Sequence, residues 1–313
     1  MKPRHPGGEV IRSFALALPH GITLQCRAAG ARSPRVLLLH GFPEAAFVWD
    51  EVMKRLAPRV GAVAPNLRGF AGSSAPTDVR EYRVRHLVAD VAEAIRALLG
   101  PGQALDLLVA HDWGGALAWN LAAQQPELMR RLVIVNSPHP ATFLRELRGS
   151  PAQQKASAYM NWLCRPDAAS LLAANDYARL WPWFGEAPWL TEATKGQYRE
   201  AWAQGLEGPL NYYRASPLRP PVGPEDAIRS LSFADADVTV RVPTTVLWGE
   251  RDEALLPGLV DGLERWVPQL ELIRVPEGSH WLVHEQPERV AGLLAERLLD
   301  GPQEPSAPAG ARR

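Results

Sequence analysis

The sequence predicts an α/β fold: a mostly parallel sheet with helices on both faces and an all-helical insertion. Three observations predict it. Short apolar runs, the pattern of strands covered on both faces, alternate with longer segments of helical periodicity. That alternation lapses between residues 138 and 222, where helical patterns are broken by prolines and no strand is evident. One apolar run, residues 105–110, leads through a tight glycine-bearing turn straight into a helix. Strands alternating with helices give a parallel, doubly covered sheet.

Each element follows from local pattern. Residues 14–18 and 22–26 flank Pro19-His20-Gly21 and read as an antiparallel hairpin. Residues 36–39 are a buried strand that runs into His40-Gly41-Phe42-Pro43-Glu44, and a helix is expected over 47–56. A strand over 61–64 opens into a glycine-rich loop, residues 65–73. Residues 84–99 carry Leu87, Val88, Val91, Ile95, Leu98 and Leu99 at helical spacing. After the strand at 105–110, residues 116–125 hold good helix formers until Pro126. Residues 132–135 form another buried strand. The insertion holds Trp162, Trp181, Trp183, Trp189 and Trp202, five of the eleven tryptophans, which suits an apolar cavity. A strand over 242–249, a helix over 259–267, a strand over 270–275 and a helix over 288–299 complete eight strands. The domains expected are a core in two parts, 1–137 and 223–300, a helical cap, 138–222, and a disordered tail, 301–313.

Composition narrows the partners. Apolar residues make up 46% and charged residues 22%, as in ordinary globular enzymes. Lys+Arg and Asp+Glu both number 34, so no global field favours nucleic acid or an anionic membrane. Cys26 and Cys164 are far apart and lack metal-site spacing; both are expected to be reduced. The opening MKPRHPGGEV has no apolar signal core, and no run reaches membrane length, which implies a cytoplasmic setting. A homodimer is admissible.

The chemistry begins at Ala110-His111-Asp112-Trp113-Gly114, a variant of the G-x-S-x-G nucleophile elbow with Asp112 at its centre. A carboxylate there makes no acyl-enzyme, but it can attack an electrophilic sp3 carbon and form an alkyl ester. The plainer role is a helix N-cap. A nucleophile so placed needs a base, a group to orient the base, and donors for an oxyanion. His280 follows the strand at 270–275, on the same sheet edge as Asp112, and is the candidate base. Asp252, just beyond the strand at 242–249, is the candidate orienting acid, with Glu250 and Glu253 as rivals. The order Asp112, Asp252, His280 is nucleophile, acid, base. The amides of Trp113 and Phe42 are the candidate oxyanion donors. Pro43 is a candidate for a cis peptide bond.

These motifs resemble the α/β-hydrolase superfamily, and within it the soluble-type epoxide hydrolases, over about residues 14–299. His40 to Pro43 match the H-G-x-P motif and His111 to Gly115 the nucleophile motif, while Asp252 and His280 match the acid and base. Tyr159, in Tyr159-Met160-Asn161-Trp162, and Tyr213, in Asn211-Tyr212-Tyr213-Arg214, match two cap tyrosines that hold and protonate the epoxide oxygen. The resemblance implies an apolar epoxide and water as reactants, a vicinal diol as product, and neither metal nor organic cofactor. His40, Pro43, Trp113 and Trp162 are its expected substrate contacts. The chain departs from the pattern at Asn66, Ala71, Tyr212 and Leu163-Cys164-Arg165-Pro166.

Three alternatives are weighed at this stage. Haloacid dehalogenases share the nucleophile but clamp a carboxylate with arginines, where this chain has Trp113 and Ala116. Haloalkane dehalogenases pair the tryptophan after Asp with a second halide donor. Phe42 cannot supply that donor, whereas a cap tryptophan could. A non-catalytic binding protein of this fold usually lacks a triad member, and here all three are present.

Overall fold

A computed structural model of the chain describes residues 11–31 and 33–299. The predicted tail, 301–313, lies outside these residues. Eight strands form one sheet: β1 (Arg12–Ala17), β2 (Thr23–Ala29), β3 (Pro34–Leu39), β4 (Gly61–Pro65), β5 (Leu107–His111), β6 (Leu132–Val135), β7 (Thr244–Gly249) and β8 (Leu270–Val275). Their order is β1-β2-β4-β3-β5-β6-β7-β8. β1 and β2 pair antiparallel, as does β2 with β4; every other pairing is parallel. The central strands β4, β5, β6 and β7 are buried along their whole length, which is why they are apolar without alternation.

Helices α1 (Asp50–Leu56), α2 (Val84–Leu99) and α3 (Asp112–Gln124) fall between the early strands. Between β6 and β7 the described residues hold helices and no strand. These are α4 (Pro140–Gly149), α5 (Pro151–Ala156), α6 (Tyr159–Leu163), α7 (Ala168–Tyr177), α8 (Glu192–Ala203), α9 (Glu207–Ala215) and α10 (Asp235–Val238). α11 (Leu282–Glu285) and α12 (Pro287–Leu299) close the chain.

Three expectations need correction. The helix expected over 259–267 is two short 3-10 turns, Pro257–Val260 and Leu263–Arg265. Leu259, Leu263 and Val267 are all buried, so the four-residue spacing reports burial, but Gly262 between them has φ +71° and breaks any helix. The helix expected from 47 begins as a 3-10 turn, Ala46–Trp49, before α1. α3 starts at Asp112 and not at 116, with Asp112 itself a left-handed turn residue at its head.

The parallel register aligns the C-terminal ends of the strands. Leu39 lies opposite Ala110, His111 opposite Val135, Val135 opposite Leu247, and Gly249 opposite Val275. The loops after β3, β5, β6, β7 and β8 therefore leave from one edge. α3 crosses the loop after β3 at Gly114, where an added Cβ would lie 2.6 Å from the Leu39 carbonyl oxygen and 2.7 Å from that of His40. Backbone on both sides leaves little room to relax. Gly114→Ala should cost about 1–3 kcal/mol, measured by urea denaturation. A loss within error would show that α3 can shift away from β3 at no cost.

Candidate active site

β5 delivers its chain to Asp112 at φ +49°, a left-handed conformation that costs a non-glycine residue free energy. The surroundings hold it there. The Gly114 amide donates to the His40 carbonyl at 3.0 Å, and Ser137 Oγ donates to the Asp112 carbonyl at 2.7 Å. A Cβ on Gly41 would fall 2.3 Å from the Asp112 side chain, and one on Gly115 2.3 Å from Ser137 Cβ. Glycine at these positions is thus a requirement of close approach.

The Asp112 carboxylate accepts from the Phe42 amide at 2.7 Å, and its other oxygen lies 3.9 Å from His280 Nε2. The Trp113 amide follows in the first turn of α3. His280 Nδ1 donates to Asp252 Oδ2 at 2.7 Å. Asp252 is fully buried, and its remaining bonds come from Asn136 Nδ2 at 2.8 Å and the amides of Ala254 and Leu255 at 2.9 and 2.8 Å. Burial alone would raise its pKa; the charge of His280 and these donors outweigh burial and hold it below the usual carboxylate value. The rivals are placed elsewhere: Glu250 pairs with Arg274, and Glu253 is exposed. Burial likewise opposes charge on His280, but Asp252, Asp112 and Glu44 prevail and raise its pKa to about 9.

Tyr159 on α6 and Tyr213 on α9 stand over Asp112. Their rings meet edge to face at 6.1 Å, and Tyr213 also packs against Trp113 at 5.1 Å and Phe42 at 5.3 Å. Burial first, and nearby Asp112, push both phenols up, so they stay protonated at neutral pH. Tyr212 points the other way and donates to the Arg68 carbonyl at 2.9 Å. Two chambers of about 480 and 610 Å3 meet at this point; Asp112, Tyr159 and Tyr213 line both.

Residues 34–287 match the sequence model for the alpha/beta hydrolase fold. The chain belongs to that family. It is 34% identical to the AB hydrolase superfamily protein YfhM of Bacillus subtilis, over 89% of this chain and 95% of that one. It is 32% identical to epoxide hydrolase 3 of Xenopus tropicalis, over 90% of this chain and 76% of the relative. The structure of Bacillus megaterium epoxide hydrolase with an inhibitor superposes with a TM-score of 0.83 at 30% identity, covering 91% of this chain and 99% of that one. Within the α/β hydrolases, this chain is therefore of the epoxide hydrolase group.

In this α/β hydrolase, three expected substrate contacts are misplaced. His40, Pro43 and Trp162 line neither large chamber. His40 points into the core, where its Nε2 accepts from the Leu67 amide at 3.0 Å and its Nδ1 donates to the Gly41 carbonyl at 2.9 Å; burial lowers its pKa to about 4. Pro43 follows the cis bond expected of it, and its carbonyl accepts from Trp202 Nε1 at 2.6 Å. α6 presents Tyr159 and Met160 to the first chamber in place of Trp162. Trp113 does line that chamber.

Sequence reasoning also missed a buried polar cluster. Glu44 meets His111 Nδ1 at 3.0 Å, and His111 Nε2 meets the His280 carbonyl at 2.9 Å. The other Glu44 oxygen accepts from Tyr198 and lies 3.0 Å from His284 Nε2. Burial works against the Glu44 charge, yet His111 and His284 hold its carboxyl well below the usual range. The available signal was Glu44 itself, an acid directly after the H-G-F-P run. Asn136 gave a similar one: a short amide at the end of a buried strand, on the edge that carries the site.

The raised His280 pKa has a consequence for stability. The group starts at 6.5 unfolded and rises to about 9 folded, so its contribution is complete below 6.5 and is lost as pH climbs through 9. The wild-type melting temperature should fall between those pH values more steeply than that of His280→Gln. Parallel Tm-against-pH curves for the two proteins would refute the assignment.

Proposed function

We propose that the protein hydrolyses an apolar epoxide to a vicinal diol in two steps. The observation that carries this is the placement of an elbow aspartate between the Phe42 amide and His280, beneath the phenols of Tyr159 and Tyr213. Asp112 attacks an epoxide carbon, the C–O bond breaks, and Tyr159 or Tyr213 gives its proton to the departing oxygen. An alkyl ester forms at Asp112. Its formation removes a negative charge 3.9 Å from His280 and so weakens the hold on the imidazolium proton. That proton returns to the phenolate, and neutral His280 then takes a proton from water as the water attacks the ester carbonyl. The amides of Phe42 and Trp113 hold the oxyanion. Collapse releases the diol and restores the Asp112 carboxylate; Asp252 and Asn136 keep the His280 ring in place throughout.

Every step uses the chain's own side chains and water. Residues 138–222 serve as the cap, carrying both phenols. The haloacid reading lacks arginine at Trp113 and Ala116, and Phe42 offers the haloalkane reading only a ring. A binding protein would have no use for an Asp252–His280 hydrogen bond aimed at a carboxylate 3.9 Å away. Among the described residues no helix is long and apolar enough to cross a membrane. Assembly as a homodimer is compatible with this scheme.

Asp112→Asn should abolish diol formation from styrene oxide while leaving the circular dichroism spectrum unchanged. Normal turnover by freshly purified mutant protein would sink the scheme. His280→Gln should complete only the first step, and intact-protein mass spectrometry should show the added mass of one substrate. Tyr213→Phe should lower turnover by about 10²–10⁴-fold, the usual worth of a positioned acid; a smaller loss in Tyr159→Phe would identify Tyr213 as the principal donor.

A further inference from the structure

Tyr212 and Tyr213 are neighbours on α9 with separate partners. Tyr213 meets Tyr159 above Asp112, while Tyr212 donates to the Arg68 carbonyl in the glycine-rich loop after β4, at 2.9 Å. Tyr212 is fully buried, and no step of the proposed reaction uses it. It is also a position where the chain departs from the epoxide hydrolase motif.

The acceptor is fixed from several sides. Arg68 is buried; its Nε and Nη2 donate to the two oxygens of Asp90 at 2.7 and 2.6 Å, and its Nη1 donates to the Glu81 carbonyl at 2.7 Å. Asp90 lies on α2 and also meets His20 Nε2, in the turn between β1 and β2, at 2.6 Å. The neighbours of Arg68 are held as well. The Leu67 amide donates to His40 Nε2 at 3.0 Å and the Gly69 amide to the Ser74 carbonyl at 2.9 Å.

α9 touches the same loop one turn earlier. A Cβ on Gly208 would lie 2.5 Å from the Gly69 carbonyl oxygen and 2.6 Å from Gly69 Cα. Gly208 and Tyr212 are four residues apart, so both contacts fall on one face of the helix. The close approach at Gly208 sets the distance of α9 from the loop. The hydrogen bond at Tyr212 sets its rotation, because such a bond is directional and ring packing is less so. Tyr213 follows about 100° further round the helix, so its direction depends on that rotation. The Trp113 ring meets Tyr212 at 5.5 Å and Tyr213 at 5.1 Å, both edge to face, which couples the two phenols.

We infer that Tyr212 is a positioning residue for Tyr213: its hydrogen bond to the Arg68 carbonyl sets the rotation of α9, and so the approach of the Tyr213 hydroxyl to the departing epoxide oxygen. This rests on the epoxide hydrolysis proposed above. Catalysis is sensitive to such placement, a shift of about 1 Å costing as much as about 10²-fold.

The test reads alkylation alone, in the His280→Gln background, as the rate at which intact protein gains the mass of one styrene oxide. Tyr212→Phe keeps the ring and removes the hydroxyl. It should slow alkylation about tenfold. In protein that already carries Tyr213→Phe, the same substitution should change the rate by less than about twofold, because the hydroxyl it positions is gone. Gly208→Ala, which lifts α9 from the same loop, should show the same dependence on Tyr213, so the test stands if Tyr212→Phe fails to fold. An unchanged rate in Tyr212→Phe overturns the proposal. Equal slowing with and without the Tyr213 hydroxyl overturns it too, since a general loosening of the insertion gives that result. Both outcomes leave epoxide hydrolysis in place, because the His280→Gln parent still gains mass. A parent that gains no mass, made from a wild-type protein that forms no diol, would overturn both.

Discussion

The left-handed turn at Asp112 is the constraint on which the rest of the site depends. It lifts one carboxylate out of the end of β5 at a position where a normal helix start would bury it or turn it aside. The conformation persists because neighbours leave no alternative: α3 lies against the carbonyls of Leu39 and His40, and Ser137 holds the Asp112 carbonyl. Glycine at 41, 114 and 115 is the steric condition for that fit. Strain of this kind is retained where surrounding structure over-determines it.

Charge is organised around the same point. Asp252 and Glu44 are buried carboxylates, each fully engaged by donors, and they flank His280 from its ring and from its backbone. Burying a charge is costly unless its partners are supplied in good geometry. Here those partners come from separate loops: Asn136 after β6, Ala254 and Leu255 after β7, and His111 at the end of β5. The cluster therefore ties the sheet edge together while setting the proton affinity of His280. Tyr198 extends it into the helical insertion, so the segment that carries the phenols is joined to the core by a buried hydrogen bond as well as by apolar packing.

Much of this was legible in the chain. The strands β4 to β7 are apolar without alternation because both faces are covered, and that pattern marks them directly. The elbow, Asp252 and His280 were legible because such groups must follow strands at one edge, and strand ends can be read from the sequence. Leu259, Leu263 and Val267 misled for a physical reason: burial at four-residue spacing does not require a helix when a left-handed glycine intervenes. His40, Pro43 and Trp162 misled differently. Adjacency to a motif does not fix the direction of a side chain, and hydrogen bonds to the Leu67 amide and the Gly41 carbonyl hold His40 in the core.

The sequence by itself determined the alternation of strands and helices, the carboxylate at the elbow and the chain order Asp112, Asp252, His280. Local rules govern all three: periodicity, glycine at a tight turn, and short polar residues just past buried strands. Only the tertiary structure decided that Asp252 and not Glu250 meets His280, that Glu44 and Asn136 adjoin the site, and that two chambers meet at Asp112. Those outcomes depend on distances between loops more than twenty residues apart in the chain, which no local pattern encodes.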